Sequence, residues 1–70
     1  MDISESVKTI RRKALLSQTD FAKELGVSLN TVNRWENGRS KPTFRTMRSI
    51  NDFCRQHGID LDIREGLSDD

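Results

Sequence analysis

The sequence predicts an all-α fold, a compact domain of four to five short helices, and three regularities along the chain indicate it. Apolar residues recur three and four positions apart, the spacing that gathers side chains on one face of a helix. Residues that cap helix N-termini precede these stretches. Single glycines, which tolerate the left-handed conformation of a helix end, follow three of them. Helices are therefore expected at about 3–15, 18–25, 28–37 and 43–57.

The first helix is expected to begin at an N-cap provided by Asp2 or Ser4. Leu15 and Leu16 then lead into a turn before the second helix. The apolar stripe expected on the first helix consists of Ile3, Val7, Ile10 and Ala14.

The second and third helices are predicted within residues 18–37, QTDFAKELGVSLNTVNRWEN. Ser17 and Asp20 form a capping-box pattern before the second helix, Gly26 ends it, and Ser28 can cap the third. Ala22 allows the two helices to approach closely. The small core expected between them consists of Phe21, Leu25, Val27, Val32 and Trp35. This is the outline of a helix-turn-helix, whose second helix enters the DNA major groove.

The outward face of the third helix carries residue types that suit base edges. Asparagine can pair bidentately with adenine, arginine can pair with guanine, and an apolar group can touch a thymine methyl. The candidate base-contacting residues are Ser28, Leu29, Asn30, Asn33 and Arg34.

Residues 4–57 resemble the lambda-repressor-like, Cro/C1-type (XRE) helix-turn-helix regulators of bacteria and phages. The matching residues are Arg11, Gln18, Ala22, Gly26, Val32 and the run Trp35-Glu36-Asn37-Gly38 through Pro42. The resemblance implies a lambda-repressor-like DNA-binding domain and a sequence-specific transcriptional regulator. It favours a repressor, with subtypes that include a phage switch protein, an antitoxin and a restriction-modification controller.

The resemblance also implies particular roles for residues outside the base-reading face. Arg11 and Glu36 match a pair that forms an internal salt bridge in the family. Gln18 matches a residue that contacts phosphate and braces a side chain of the recognition helix. The residues expected to contact the DNA backbone are Gln18, Thr31, Asn37, Arg39, Lys41 and Arg45.

The fourth helix is predicted after Pro42, with Thr43 as its N-cap and Gly58 at its end. Phe44 and Phe53 are both expected in the core. Cys54 is interpreted as a small buried apolar residue and not as a nucleophile. The full inward stripe expected on this helix is Phe44, Met47, Ile50, Phe53 and Cys54.

Residues 59–63 alternate between apolar and acidic side chains, which predicts a short extended segment with one apolar side. A short fifth helix commonly follows in the family, so this segment departs from the pattern. Either that helix is replaced here, or the segment packs its apolar side, with two alternatives for the surface it meets: the core of the domain or a partner. Residues 1–63 are therefore expected to form the helix-turn-helix domain, followed by a flexible acidic tail at 64–70.

The distribution of charge supports DNA binding more strongly than the total of +1 does. Residues 1–7 carry −2, residues 8–48 carry +7, and residues 49–70 carry −4. A local basic face attracts phosphates whatever the total charge is. Double-stranded DNA is thus the expected partner.

Length and composition narrow the expected class further. Seventy residues are enough for one small domain, and one cysteine excludes an internal disulfide, which fits a reducing cytoplasm. No apolar run of about 18 residues predicts a membrane span, and no apolar signal segment is seen near the N-terminus.

The sequence distinguishes three functional classes. The favoured class is a repressor that acts as a homodimer on a palindromic operator, because one copy of so small a module reads too few bases. The alternative is a protein-interaction module or antitoxin component whose main role is binding a protein partner. An enzyme is not expected, since the sequence has no nucleophile–base pair, no metal-spaced His/Cys cluster and no phosphate-binding glycine loop, and no cofactor or metal is expected either.

Overall fold

The computed structural model describes residues 2–63 and contains four helices in this range: α1 (Ile3–Lys13), α2 (Gln18–Leu25), α3 (Leu29–Glu36) and α4 (Phe44–Gln56). The all-α prediction is confirmed, and the observed bounds differ from the predicted ones by two residues or fewer. No helix of the described residues is long and apolar enough to cross a membrane. The acidic tail expected at 64–70 lies outside the described residues.

Each helix begins where a side chain satisfies a backbone amide that has no partner inside the helix. An oxygen of the N-cap side chain accepts a hydrogen bond from the amide three residues later, which is the usual N-cap geometry. Of the two candidates for α1, Asp2 is the cap. The four capping pairs are Asp2 with Glu5 (3.0 Å), Ser17 with Asp20 (3.1 Å), Ser28 with Thr31 (3.1 Å) and Thr43 with Thr46 (3.2 Å).

The helices end in the same way: backbone hydrogen bonds enclose one residue in the left-handed conformation. At the end of α2, Gly26 has a φ of 73°, and the Val27 amide donates to the Ala22 carbonyl at 3.0 Å. At the end of α1, the same position is filled by Leu15, with a φ of 60°, and the Leu16 amide donates to the Arg11 carbonyl at 3.1 Å. This is the Schellman motif, which usually places glycine at the left-handed position.

One apolar core joins the four helices. Phe21 of α2 meets Phe53 of α4 edge-on, with ring centroids 5.3 Å apart, and both rings are buried. The predicted members Leu25 and Val27 are partly buried against this core. The buried residues that form this core are Ile3, Val7, Ile10, Phe21, Ala22, Val32, Trp35, Met47, Ile50, Phe53, Cys54 and Ile63.

The expectation that Phe44 lies in the core is wrong. Its side chain is 59% exposed, and the first buried residue of α4 is Met47. Helical spacing places Phe44 on the same side of α4 as Met47, but spacing does not say where the neighbouring helix ends. α4 has 13 residues and packs against α2, which has eight, so α2 is too short to cover the whole length of α4.

Residues 59–63 pack against the domain's own core, which decides between the two alternatives for this segment. Ile63 is buried, and Ile59 and Leu61 are partly buried. The side-chain amide of Asn51 holds the segment: its Oδ1 accepts from the Ile63 amide at 2.8 Å, and its Nδ2 donates to the Ile63 carbonyl at 3.2 Å. No fifth helix occurs within residues 2–63.

Cys54 lies against this segment and is buried, as expected for a small apolar side chain. Burial raises the pKa of its thiol, and the nearby carboxylate of Asp62 acts in the same direction. The thiol is therefore kept in its neutral form, which is the less nucleophilic one.

Replacing Leu15 with glycine should stabilise the protein. The left-handed conformation costs an L-residue about 1–2 kcal/mol, and glycine avoids this cost. The greater conformational freedom of glycine in the unfolded chain cancels about half of the resulting stabilisation. The Leu15 side chain is 91% exposed, so little packing is lost. We expect the free energy of unfolding in urea to rise by about 0.5–1 kcal/mol.

Leu15→Ala is the matched control, because alanine removes the same apolar side chain and keeps the Cβ that makes the conformation costly. Equal stabilities for the glycine and alanine variants would contradict the conformational explanation.

Candidate nucleic-acid interface

The helix α3 divides cleanly into a buried and an exposed side. Val32, Trp35 and Glu36 are buried, and α3 packs against both α2 and α1. Leu29 is 47% exposed, and Thr31 is partly buried. The remaining candidate side chains around the helix are exposed: Ser28, Asn30, Asn33, Arg34 and Asn37.

Arg11 and Glu36 form a bidentate ion pair between α1 and the end of α3. Nε of Arg11 donates to Oε2 of Glu36 at 2.6 Å, and Nη2 donates to Oε1 at 3.0 Å. Nη1 of Arg11 donates to the carbonyl oxygen of Leu16 at 3.0 Å, which ties the α1–α2 turn to the same group. The paired side chains are 15% and 3% exposed, respectively. The pair thus fixes the rotation of α3 relative to α1.

The environment of Glu36 favours its ionised form. Burial raises the pKa of this carboxyl, whereas hydrogen bonds from Arg11 and Gln18 lower it. The pKa in the folded protein lies below its ordinary value of 4.5. The positive charges of Arg11 and Lys8 lower the pKa as well. The bond to Glu36 in turn raises the pKa of the Arg11 guanidinium. Both partners are therefore charged at neutral pH.

A line of amide side chains leads from this ion pair to the exposed face of α3. Nε2 of Gln18 donates to Oε1 of Glu36 at 3.0 Å, and Oε1 of Gln18 accepts from Nδ2 of Asn33 at 3.5 Å. Nδ2 of Asn37 donates both to Oδ1 of Asn33, at 3.1 Å, and to its backbone carbonyl, at 2.9 Å. Asn33 and Asn37 thus lie together at the exposed surface, with the partly buried Gln18 beside Asn33.

Two contacts were not predicted from the sequence: the bond from Asn37 to Asn33 and the bond from Arg11 to the Leu16 carbonyl. The four-residue spacing of Asn33 and Asn37 on one helix face was a usable signal for their hydrogen bond. The bond from Arg11 to the Leu16 carbonyl has no comparable signal, because it depends on how the turn folds back on α1.

Ser28 and Thr31 interact with each other at the start of α3. The Ser28 hydroxyl accepts from the Thr31 amide, and the two hydroxyl oxygens are 2.9 Å apart. The Ser28 hydroxyl is therefore engaged in capping the helix.

The exposed basic residues stand apart from this network. Arg34, Arg39, Lys41 and Arg45 are all exposed, on α3, the following loop and the start of α4. Within residues 2–63, the side chains of Arg34, Arg39 and Arg45 take part in no ion pair or hydrogen bond. Such cations can pair with phosphate without first breaking an internal contact.

These features agree with the comparisons to known proteins. A helix-turn-helix family model matches residues 7–57, and the chain therefore belongs to this family, in its Cro/C1 type, whose members are DNA-binding transcriptional regulators. The chain is similar to the type II methyltransferase M.SsoII of Shigella sonnei, with 34% identity over 55 residues. This match covers 74% of the chain and spans 14% of the methyltransferase. No solved structure matches the chain.

Removing Arg11 should destabilise the fold strongly. Arg11→Ala leaves the Glu36 carboxylate buried without its cation, and breaking a buried pair in this way costs about 3 kcal/mol. Urea unfolding at neutral pH measures the change. Arg12→Ala is the matched control: Arg12 is the neighbouring arginine and is exposed, so its loss should change stability by less than about 0.5 kcal/mol. Equal losses for the two variants would mean that the ion pair does not hold the fold together.

Acid should weaken the protein through Glu36. Because the folded state lowers the pKa of this carboxyl, its contribution is complete above the ordinary value of 4.5 and disappears as the pH falls through the lower, folded-state pKa. Glu36→Gln should be less stable at neutral pH and should lose less stability on acidification. Unfolding free energies measured from pH 7 to pH 3 test this, and parallel curves for the two proteins would contradict it.

Proposed function

We propose that this chain is a sequence-specific transcriptional repressor that binds a palindromic operator as a homodimer, with residues 1–63 as the DNA-binding domain. The observation that carries the proposal is the pairing of an exposed amide and arginine face on α3 with a buried ion pair that fixes the helix on its scaffold. A rigid helix with polar, non-acidic groups outward is suited to read base edges in the major groove.

Base readout is assigned to the exposed side of α3. Asn30 and Asn33 offer amides to adenine, Arg34 offers a guanidinium to guanine, and each good bidentate pair contributes roughly 1–3 kcal/mol of discrimination. Leu29 is positioned at the start of the helix to contact a thymine methyl. Ser28 is the weakest member of this group, because its hydroxyl already caps α3.

Contacts to the DNA backbone are assigned to the residues that flank this face. Gln18 keeps one amide hydrogen beyond the one given to Glu36, so it can donate to a phosphate. Asn37 differs from the rest of this group, because its Nδ2 already donates to acceptors of Asn33. The other backbone contacts are assigned to Thr31, Arg39, Lys41 and Arg45.

The dimensions of the domain favour a dimer. α3 has eight residues, so it is roughly 12 Å long and can face about four base pairs. The domain measures 34 × 27 × 20 Å. Two copies side by side would therefore separate their recognition helices by about one turn of DNA, which is on the order of 34 Å.

Catalysis is not part of the proposal. The similarity to a methyltransferase covers 14% of that protein, and the matched family is a DNA-binding one. Methyl transfer is therefore not carried over, and no cofactor is assigned. A bacterial regulator of this kind acts in the cytoplasm, where its DNA lies.

The alternative, a module that mainly binds a protein partner, has less support. It was based on the acidic tail at 64–70, which lies outside the described residues, and on a free apolar side at residues 59–63. The Ile63 side chain of that segment is buried in the domain.

Selection from a random-sequence DNA pool at two salt concentrations tests the proposal. We expect an enriched palindrome with half-sites about one helical turn apart, and affinity that falls steeply with salt. Arg34→Ala should abolish the preference at one base pair in each half-site, with the rest of the sequence unchanged. Binding without any enriched sequence would refute specific regulation. A uniform loss across all sequences in the variant would make Arg34 a phosphate contact.

A further inference from the structure

We propose that Asn37 is a positioning residue that holds the Asn33 amide in the orientation set by Glu36 and Gln18, and so makes Asn33 specific for adenine. The inference rests on the proposed function, because it concerns which base the recognition helix reads.

The first step is that the hydrogen bonds run in a connected line. From the buried end to the exposed end, the side chains are Glu36, Gln18, Asn33 and Asn37, joined at 3.0, 3.5 and 3.1 Å. Arg11 holds the buried end in place through its own two bonds to Glu36.

The second step is that Glu36 determines the direction of every bond in this line. An ionised carboxylate can only accept, so Gln18 must present its amide nitrogen to Glu36. The oxygen of Gln18 then faces Asn33, so Asn33 must donate through its amide nitrogen. The oxygen of Asn33 is left facing Asn37, which in turn must donate. Flipping either inner amide, at Gln18 or Asn33, would place oxygen against oxygen or nitrogen against nitrogen.

The third step concerns what remains on Asn33 for DNA. One amide hydrogen is used toward Gln18, and one lone pair of the oxygen is used by Asn37. One hydrogen and one lone pair remain on an exposed side chain. Adenine presents one acceptor and one donor in the major groove, which matches this pair, whereas guanine presents two acceptors.

The fourth step concerns how Asn37 acts on Asn33. Nδ2 of Asn37 lies 3.1 Å from Oδ1 and 2.9 Å from the backbone carbonyl oxygen of Asn33, so both acceptors that it meets belong to that residue. Its effect on recognition passes through Asn33.

The test is selection from a random DNA pool with the full chain and its variants. Asn33→Ala identifies the base pair that Asn33 reads. At that pair the wild type should enrich adenine, and Asn37→Ala should reduce the adenine preference several-fold. Asn37→Asp keeps the size of the side chain but replaces the donor with an acceptor, so it should reduce the preference at least as much. Asn30→Ala is the control, since it should change a different base pair and leave this one unaltered.

The results separate this inference from the proposed function. A wild-type chain that enriches no sequence overturns both. A wild type that selects a palindrome, with variants at position 37 that keep the same base preference, overturns the inference alone. Uniform weakening on all sequences by Asn37→Ala also overturns it, because that is the behaviour of a phosphate contact.

A measurement on the free protein guards against a trivial loss of structure. The side-chain amide of Asn33 should give dispersed, slowly exchanging NMR signals in the wild type. Those signals should collapse toward solvent-exposed values in Asn37→Ala, while the backbone spectrum of α3 is retained. An Asn33 amide that is averaged in the wild type overturns the inference whatever DNA the protein binds.

Discussion

The buried carboxylate of Glu36 is the interaction on which the rest of this structure depends. It accepts hydrogen bonds from Arg11 on α1 and Gln18 at the start of α2, although it belongs to the end of α3. A carboxylate in an apolar setting must be paired. These three helices can therefore assemble in few other ways without leaving an unpaired charge in the core. One acidic side chain, 3% exposed, thereby fixes the relative placement of three helices.

The apolar core could not do this alone. Burial of apolar surface is non-directional, and a domain of 70 residues has a small core and a correspondingly modest stability. Apolar contacts between Phe21, Val32 and Trp35 bring α2 and α3 together, while hydrogen bonds to Glu36 set the rotation of α3 about its axis. That rotation decides which side chains face outward. In this molecule, apolar burial therefore drives the helices together, and hydrogen bonds to Glu36 determine which face of α3 is exposed.

The local sequence signals at the helix ends agree with this arrangement. The helices of the described chain begin at capping side chains and end at left-handed residues, so each is delimited by its own sequence. The exception is Leu15, which occupies a left-handed position with its side chain exposed. It keeps the turn before Gln18 short at a conformational cost that glycine would avoid. Nothing in the structure explains why leucine stands there.

The sequence by itself determined the helices, their caps, the helix-turn-helix, most of the core and the class of protein, because capping and helical periodicity are encoded within a few neighbouring residues. The resemblance also supplied the pairing of Arg11 with Glu36. Tertiary structure alone decided the exposure of Phe44, the docking of residues 59–63 through Asn51, and the direction of the amide hydrogen bonds on α3. These depend on where another element ends or which atom it presents, and that information lies at distant positions in the chain.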